Sequence, residues 1–364
     1  MRASIDRTLV ALIAVIATLG VIVFFSAALP LLVEGPRAFT SALISQLGLG
    51  LVGGSVAAYM LVRVPLSVYR TYAPHIFVAG IVLTALVFAP YIGVSANGAS
   101  RWIDLGFTTF QPSEFLKIGY ILLVAAILAR GKELGADYRR GVIPVAAVSI
   151  LVAVLLLLQP DTDTLVLMLA ASGAMLFASG LSYRDIGIGI AIVVLGVAIL
   201  ASQRPYLLDR FTTYWNPSND PQGAGYHVIQ STLAVGAGEA FGRGYGLSVQ
   251  KFTHLPEASS DAIFAVYAEE FGFIGSILLV ALMSGFILRG LWLAARAQEL
   301  FGALTALGIV TLLGSQMLLN IAAMIGLVPV GGFPLPFVSQ GGSALFMTLA
   351  LSGILLAVSK TVRR

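Results

Sequence analysis

Ten long apolar runs, bounded by charged or polar residues, dominate the pattern of hydrophobic and polar positions along the chain. Each run is long enough to cross roughly 30 Å of hydrocarbon as a helix. We therefore predict an all-α polytopic membrane protein with ten transmembrane helices, forming one domain over residues 1–364. The predicted spans are Thr8–Val33, Ala38–Val62, His75–Val94, Pro112–Ala129, Gly141–Gln159, Thr164–Tyr183, Ile186–Gln203, Ala262–Leu288, Leu300–Leu327 and Gly342–Ser359.

Lysine and arginine residues are divided unevenly between the two sides that these spans define. An even number of spans places both termini on one side, and that side collects fourteen of these residues against six on the other. The cytoplasmic loops of membrane proteins carry the excess of positive charge. We therefore expect both termini to be cytoplasmic.

Two outer segments are unusual for loops. A large loop, residues 204–260, joins the seventh and eighth spans, and it is too rich in aromatic and aliphatic residues to be disordered. We expect short amphipathic or re-entrant helices in it. The second segment, Val328 to Ala344, contains three prolines, four glycines and no charge, so we expect a non-helical backbone there.

Composition supports the membrane assignment and removes several classes of function. Only 10% of the residues are charged and 58% are hydrophobic, with a mean hydropathy of +0.96. A soluble domain has roughly 25% charged residues. There is no cysteine and the three histidines lack metal-binding spacing, so we expect no disulfide and no metal site. No cofactor is evident, dependence on a divalent cation stays open, and the net charge of +4 reflects topology rather than nucleic-acid binding.

Five charged residues lie within or at the mouth of predicted spans. Glu114 and Lys117 share a helix face, so Lys117 pairs either with Glu114 or, across helices, with Asp261. Asp261 is either a helix N-cap or a catalytic carboxylate, and the two roles are compatible. Glu269 and Glu270 cannot both face one partner, and we expect them to hydrogen-bond neighbouring helices and loop backbone.

Five blocks, in order, give the chain a specific resemblance. It resembles the SEDS family (shape, elongation, division and sporulation) of bacterial peptidoglycan polymerases over nearly its whole length. The form QKFTHLPEA is closer to the division branch (FtsW) than to the elongation branch (RodA). Departures from the family pattern are Ser259, Ser260 and Ala262 around Asp261, and SQGGSA at residues 339–344. The five blocks are NGASRWIDLG with QPSEFLK (97–117), QPDTDT (159–164), NPSNDPQGAGYHVIQS (216–231), FGRGYGLSVQKFTHLPEASSDAIFAVYAEEFGFIG (241–275) and GLVPVGGFPLPFVSQGGSAL (326–345).

The resemblance implies an activity, a location and partners. It implies polymerisation of lipid II into β-1,4 glycan strands at the outer face of the cytoplasmic (inner) membrane, with release of undecaprenyl pyrophosphate. It also implies contact with membrane lipids and a class B penicillin-binding protein as partner. Asp261 is the expected base. The expected supporting or substrate-binding residues are Lys117, Glu114, Arg101, Arg210, Arg243, Lys251 and Ser339.

Two other classes of function fit parts of the pattern. A lipid II flippase would also carry intramembrane charges and a segment broken by glycine and proline. A scaffold that docks partner proteins is the third class. Transporters place their charges near the midplane of the membrane, whereas Asp261 and the charged loops lie at the outer end, which favours the polymerase.

Overall fold

A computed structural model describes residues 5–89, 92–96, 99–104, 106, 108–133, 138–180, 184, 212–216 and 225–362. The described helices are α1 (Arg7–Ala27), α2 (Leu31–Glu34), α3 (Pro36–Leu43), a π-helix (Ile44–Gly53), α4 (Gly54–Arg63), α5 (Leu66–Ala85), a 3-10 turn (Leu86–Phe88), α6 (Pro112–Glu133), α7 (Tyr138–Leu158), α8 (Thr162–Ala178), α9 (Tyr226–Ala237), α10 (Gln250–Thr253), α11 (Ile263–Arg296), α12 (Leu300–Met324) and α13 (Gly342–Ser359).

Eight helical segments within the described residues are long and apolar enough to cross a membrane. They correspond to eight of the ten predicted spans. The predicted sixth span matches α8, which has 17 residues. The predicted seventh span, Ile186–Gln203, lies outside the described residues, so the count of ten stays a prediction. The fold is that of a mostly helical, multi-pass membrane protein.

Two local predictions differ from the structure. The third span was predicted at His75–Val94, but α5 runs from Leu66 to Ala85 and includes Arg70. Because a long basic side chain can extend toward the interface from a helix end, its charge does not end the helix. The outer connection after α5 also forms a three-stranded antiparallel sheet, which the all-α prediction did not contain. Its strands are β1 (Gly93–Ala96), β2 (Ala99–Asp104) and β3 (Thr109–Phe110).

Three helices form the centre of the bundle. In their most apolar windows, 78% of the residues of α6, 61% of those of α12 and 89% of those of α13 are buried inside the protein. The corresponding share is 17% for α7 and 22% for α11. The central helices α6, α12 and α13 therefore pack on protein around most of their circumference. The peripheral helices α7 and α11 present apolar faces to lipid.

The helix α11 is broken at Gly272, whose φ of 67° and ψ of −166° are not helical. A Cβ on Gly272 would lie 2.3 Å from the backbone nitrogen of Gly242, so only glycine permits this approach. The outer loop fills the break with its own backbone: the N–H groups of Arg243 and Gly244 donate to the carbonyls of Glu269 and Glu270. The outer loop is thus anchored inside the helix that follows it.

Both outer segments have the local structure expected of them, as far as they are described. The outer loop contains the short helices α9 and α10, and two parts of it, residues 204–211 and 217–224, lie outside the described residues. The segment from Val328 to Gly341 is non-helical, and α13 begins at Gly342. The non-helical segment lies against the start of α11 and the outer end of α12, where it contributes to the candidate site.

Candidate active site at the outer end of helix α11

Glu269 is one of the two adjacent glutamates just before the break in α11, and it is fully buried. Its carboxylate accepts hydrogen bonds from the Ser248 hydroxyl (2.6 Å) and from the backbone N–H groups of Val249 and Gln250 (3.1 and 3.3 Å). These N–H groups lie at the start of the short helix α10, where a negatively charged acceptor is favourable. The predicted role of Glu269 in holding loop backbone is confirmed.

Glu270 faces a different partner, as its position on the helix requires. Its Oε1 lies 2.7 Å from Lys251 Nζ and accepts a 2.5 Å bond from the Ser26 hydroxyl. The Lys251 ammonium also donates to Ser26 Oγ and to the Gly246 carbonyl. This pair joins α1, the outer loop and α11, so the structural role predicted for Glu270 is confirmed as well.

Lys251 is therefore not an open cation for a diphosphate. Its side chain has no exposed surface, and its three N–H groups are taken by Glu270, Ser26 and Gly246. The sequence indicates only that Lys251 lies in an outer loop and cannot show that it is buried. A substrate-binding role for Lys251 would require it to break a buried ion pair.

Arginines are the other outer cations that the sequence singled out. Arg243 is 44% exposed, with Nη1 at 3.6 Å from Glu269 Oε1 and Nε donating to the Ala237 carbonyl. Arg210 lies outside the described residues.

Arg101 belongs to β2 and reaches across to the turn before α8. Its Nε donates to the Gln159 carbonyl at 3.2 Å, and its Nη2 donates to the Pro160 carbonyl. The Gln159 amide in turn donates to the Thr84 carbonyl at 2.7 Å. Arg101 thus fixes the start of the QPDTDT segment.

His227, in the outer loop, does not supply a positive charge at neutral pH. Burial lowers the pKa of His227, on α9, and the nearby charge of Glu257 only partly opposes this shift. A pKa below the ordinary value of 6.5 leaves the imidazole neutral at pH 7. The arginines are therefore better candidates than His227 for contact with an anionic substrate.

Asp261 lies at the mouth of α11 and is half-buried. The residue at the N-cap position is Ala262, and α11 begins at Ile263. Asp261 is therefore not the N-cap residue of α11, and that interpretation is wrong. Its backbone carbonyl accepts a 2.7 Å bond from Asn320 Nδ2, which also donates to the Phe333 carbonyl at 2.6 Å. One buried amide therefore joins Asp261 to the non-helical segment.

Ser339 fixes the residues just before Asp261. Its hydroxyl donates to the Ser260 carbonyl (2.6 Å) and accepts from the Leu335 N–H (2.7 Å). The Gln340 N–H donates to the Ser259 carbonyl at 2.8 Å. Ser339 was expected among the substrate-binding residues, but its hydroxyl is occupied by these two protein contacts.

Lys117 forms an ion pair with Glu114 on its own helix, α6. Its ammonium lies 2.8 Å from Glu114 Oε1 and 3.5 Å from Gln316 Oε1, and both members of the ion pair are buried. Among the described ion pairs, Lys117 has no contact with Asp261, so the cross-helix alternative is not the one observed. Gln316 connects the pair to the site indirectly, because its Nε2 donates to the Pro334 carbonyl at 2.7 Å.

Three residues of this region were not singled out from the sequence. Gln316 and Asn320 lie four apart on α12, on the face that holds the non-helical segment. The third is Asp163, in the first turn of α8, whose Oδ2 accepts the Gly332 N–H at 2.8 Å. Two amides within an otherwise apolar helix, and a second aspartate in QPDTDT, were the available signals.

Groups of three or more His, Asp or Glu side chains that could hold a metal ion do not occur within the described residues. The polar groups of this region are instead carboxylates, amides and hydroxyls, most of which have hydrogen-bond partners in the protein. Asn320 and Ser339 hold the backbone of Asp261 and Ser260, so the arrangement places the Asp261 carboxylate at the mouth of α11. A carboxylate can accept a proton from a hydroxyl group.

Comparisons with known proteins identify close relatives. A family model described as FtsW, RodA and SpoVE, cell cycle protein, matches residues 6–364. Peptidoglycan glycosyltransferase MrdB of Escherichia coli K12 is 40% identical over 86% of this chain and 84% of its own length. Probable peptidoglycan glycosyltransferase FtsW of Coxiella burnetii is 39% identical over 84% of this chain and 83% of its own. Since the two identities are nearly equal, the assignment to the division branch stays a prediction.

A solved structure shares the fold. It is described as showing the coordination of polymerization and crosslinking by a peptidoglycan synthase complex. One of its chains superposes with a TM-score of 0.77 and 31% identity, covering 98% of each chain. The architecture derived above is therefore the architecture of this chain's relatives.

The pairing of Lys117 makes a direct prediction about stability. Breaking a buried ion pair typically costs about 3–5 kcal/mol, because the remaining charge stays uncompensated. Lys117→Ala and Glu114→Ala should each be destabilising, and the double variant should be no less stable than the worse single variant. The measurement is the free energy of unfolding in detergent.

Asp261→Ala is the matched control, because the structure does not join Asp261 to Lys117. Its effect should add to that of Lys117→Ala within about 0.5 kcal/mol. Strong coupling between positions 117 and 261, with additivity between 114 and 117, would contradict the observed pairing.

Proposed function

The chain belongs to the FtsW, RodA and SpoVE family of cell cycle proteins, and we propose that it is a peptidoglycan glycosyltransferase that polymerises lipid II into β-1,4 glycan strands. The observation that carries the proposal is the half-buried Asp261 at the mouth of α11, whose backbone carbonyl is held by Asn320. The family model spans residues 6–364, which supports one SEDS-type domain for the whole chain.

The reaction needs one base. The donor sugar is α-linked to undecaprenyl pyrophosphate and the product is β-linked, so the reaction inverts the anomeric carbon in a single displacement. Asp261 accepts the proton of the 4-hydroxyl of the acceptor N-acetylglucosamine. The resulting oxygen nucleophile forms the new bond to the anomeric carbon of the donor, and the bond from that carbon to the pyrophosphate oxygen breaks. Undecaprenyl pyrophosphate leaves with the electron pair.

Positive charge is needed where the pyrophosphate leaves. Lys251 is buried in its ion pair with Glu270, and Lys117 is buried in its ion pair with Glu114. We therefore assign both lysines a structural role rather than contact with the diphosphate. Arg243 keeps exposed N–H groups, and Arg101 lies beside the QPDTDT turn. We assign the stabilisation of the diphosphate to these arginines and to Arg210.

A flippase is not favoured. Its substrate-binding charges would lie near the midplane of the membrane, whereas Asp261 lies ahead of the first residue of α11. The curated relatives compared above bear the names of glycosyltransferases.

The outer face of the cytoplasmic membrane is the proposed location of the site, with both termini in the cytoplasm. The support is the excess of Lys and Arg on the side of the termini. Because the chain has no cysteine, Ser218→Cys should react with an impermeant thiol reagent in intact cells, and Gly135→Cys only after permeabilisation. The reverse labelling pattern would overturn the orientation.

A class B penicillin-binding protein is the proposed partner, because glycan strands must be cross-linked after they are polymerised. The similar solved structure is described as coordinating these two reactions in one complex. Addition of such a transpeptidase should raise the rate of polymerisation by the purified chain. An unchanged rate and no co-purification would argue against the partnership.

The catalytic role of Asp261 has a sharp test. General-base catalysis typically contributes 10²–10⁴-fold, so Asp261→Asn should reduce polymerisation of purified lipid II by about a hundredfold or more. Membrane insertion and the melting temperature in detergent should stay near wild type. Asp104→Asn, which changes an exposed carboxylate on β2, is the matched control and should keep full activity.

Activity of Asp261→Asn above about a tenth of wild type would remove Asp261 from the role of base, since that loss is below the range for general-base catalysis.

A further inference from the structure

A second charged cluster lies at the end of α11 that is farthest from Asp261. Trp292 has one arginine a turn before it and another a turn after it along the helix. The guanidinium carbon of Arg289 lies 4.1 Å from the Trp292 ring centroid, and that of Arg296 lies 4.6 Å from it. At such distances the face of an aromatic ring attracts a positive charge. These three residues form the Arg–Trp–Arg cluster.

Only one of the two arginines has its charge neutralised by the described residues. Arg289 donates to both carboxylate oxygens of Asp6, at 3.2 and 2.5 Å. Arg296 is exposed and forms no ion pair and no hydrogen bond with the part of the chain that the structure describes, although Glu299 follows it closely in sequence. Arg296 therefore carries an uncompensated positive charge, and Trp292 is its contact.

The framework behind the cluster is built from three helices. Asp6 caps α1 by accepting the Leu9 N–H at 2.8 Å, and the Asp6 N–H donates to the Ser359 hydroxyl at the end of α13 at 3.1 Å. Just after α11, Ala297 forms an antiparallel bridge with Val362. The ends of α1, α11 and α13 are joined in this way, so the Arg–Trp–Arg cluster stands on rigid elements.

The exposed face of α11 gives the depth of Arg296 in the membrane. The exposed large apolar residues of this helix begin at Phe273, just after the break, and end at Leu291. At about 1.5 Å per residue this stretch spans about 27 Å, close to the roughly 30 Å of a hydrocarbon core. Arg296 lies about 7 Å beyond Leu291, which is the depth of the headgroup layer. Trp292 then marks the boundary, where tryptophan is enriched.

A lipid fits this end of α11 better than a free anion does. The proposed orientation puts it in the cytoplasmic leaflet, whose surface is negative because of anionic lipids. A guanidinium can donate two parallel N–H groups to one phosphate. A free phosphate ion would gain only the contact with Arg296, whereas a lipid also packs its chains against the exposed Leu288 and Leu291 of the same helix.

We propose that Arg296 and Trp292 form a binding site for the headgroup phosphate of an anionic membrane lipid, in the leaflet on the side of the termini. The Arg296 guanidinium donates to the phosphate oxygens, and the ring of Trp292 holds the guanidinium at headgroup depth. Arg289 is neutralised by Asp6 and supports the ring from the preceding turn. The site is separate from Asp261 and does not depend on the proposed polymerase function.

Titration of the purified full chain with lipid, in a neutral detergent, tests the headgroup. Phosphatidylglycerol is anionic and should raise the melting temperature, because a ligand that binds only the folded protein stabilises it. Phosphatidylcholine carries the same phosphate together with a compensating ammonium, so it should raise the melting temperature much less. Equal shifts with the two lipids would overturn the recognition of an anionic headgroup.

Arg296→Gln tests the residue that makes the contact. Without lipid it should melt like wild type, because Arg296 makes no ion pair within the described residues. A basic residue at an anionic membrane surface is worth on the order of fivefold in affinity, so phosphatidylglycerol should bind about fivefold more weakly or worse.

Arg130→Gln is the matched control. Arg130 is an exposed arginine at the same end of the bundle, on α6, and no aromatic contact of it occurs in the described part of the chain. Its affinity for phosphatidylglycerol should stay within about twofold of wild type. If the two glutamine variants lose affinity equally, or neither loses it, the site at Arg296 is overturned.

Trp292 is tested by a conservative and a disruptive variant. Trp292→Phe keeps an aromatic face for the guanidinium and should bind phosphatidylglycerol within about threefold of wild type. Trp292→Leu removes that face and should fall to the level of Arg296→Gln. If the Phe and Leu variants bind equally well, the positioning role of the ring is overturned.

Inorganic phosphate separates a lipid site from a site for the free ion. Titrated in the same detergent, it should leave the melting temperatures of wild type and Arg296→Gln alike. A rise with inorganic phosphate that disappears in Arg296→Gln would show that the site takes the free ion, and it would overturn the lipid assignment.

Discussion

The burial of two adjacent carboxylates at the break in α11 is the constraint on which the outer half of the molecule depends. Glu269 and Glu270 have essentially no exposed surface, and an ionised carboxylate removed from water costs several kcal/mol unless it is paired and hydrogen-bonded. The outer loop supplies what they need. Ser248 and the N–H groups at the start of α10 satisfy Glu269, and Lys251 neutralises Glu270.

This constraint accounts for the geometry of the site. The segment of α11 after Gly272 extends to Arg296 and, at about 1.5 Å per residue, is long enough by itself to cross the hydrocarbon core. The shorter half before the break is packed in protein and carries Asp261 at its mouth. Because the loop is joined to the break and Asn320 holds the Asp261 carbonyl, the backbone of Asp261, the proposed base, is attached to a rigid framework on both sides.

Much of this arrangement could be predicted from the sequence, because its signals are local. The apolar runs predicted most of the described spans, and the proline and glycine content of Val328–Gly341 predicted its non-helical backbone. The need of buried charge for partners predicted structural roles for Glu269 and Glu270. The spacing of Glu114 and Lys117 predicted the ion pair that forms, as one of the two alternatives for Lys117.

The remaining features depend on approaches between distant segments, which spacing along the chain does not encode. Asp163 meets Gly332 only because α8 and the non-helical segment pack together, and Lys251 is buried only because α1 brings Ser26 to it. The start of α5 was misplaced because a charged side chain near a helix end does not end the helix. The small sheet after α5 was missed because its strands are short.

The central claim is that the buried charge of Glu270 ties the outer loop to the broken helix through Lys251, and a double-mutant cycle on the free energy of unfolding in detergent tests it most directly. Lys251→Met and Glu270→Leu should each cost about 3–5 kcal/mol, because each leaves one buried charge without its partner. The double variant, in which both charges are gone and the volumes are kept, should recover much of that loss. Losses that simply add, within about 0.5 kcal/mol, would show that the two charges are not coupled and would contradict this account.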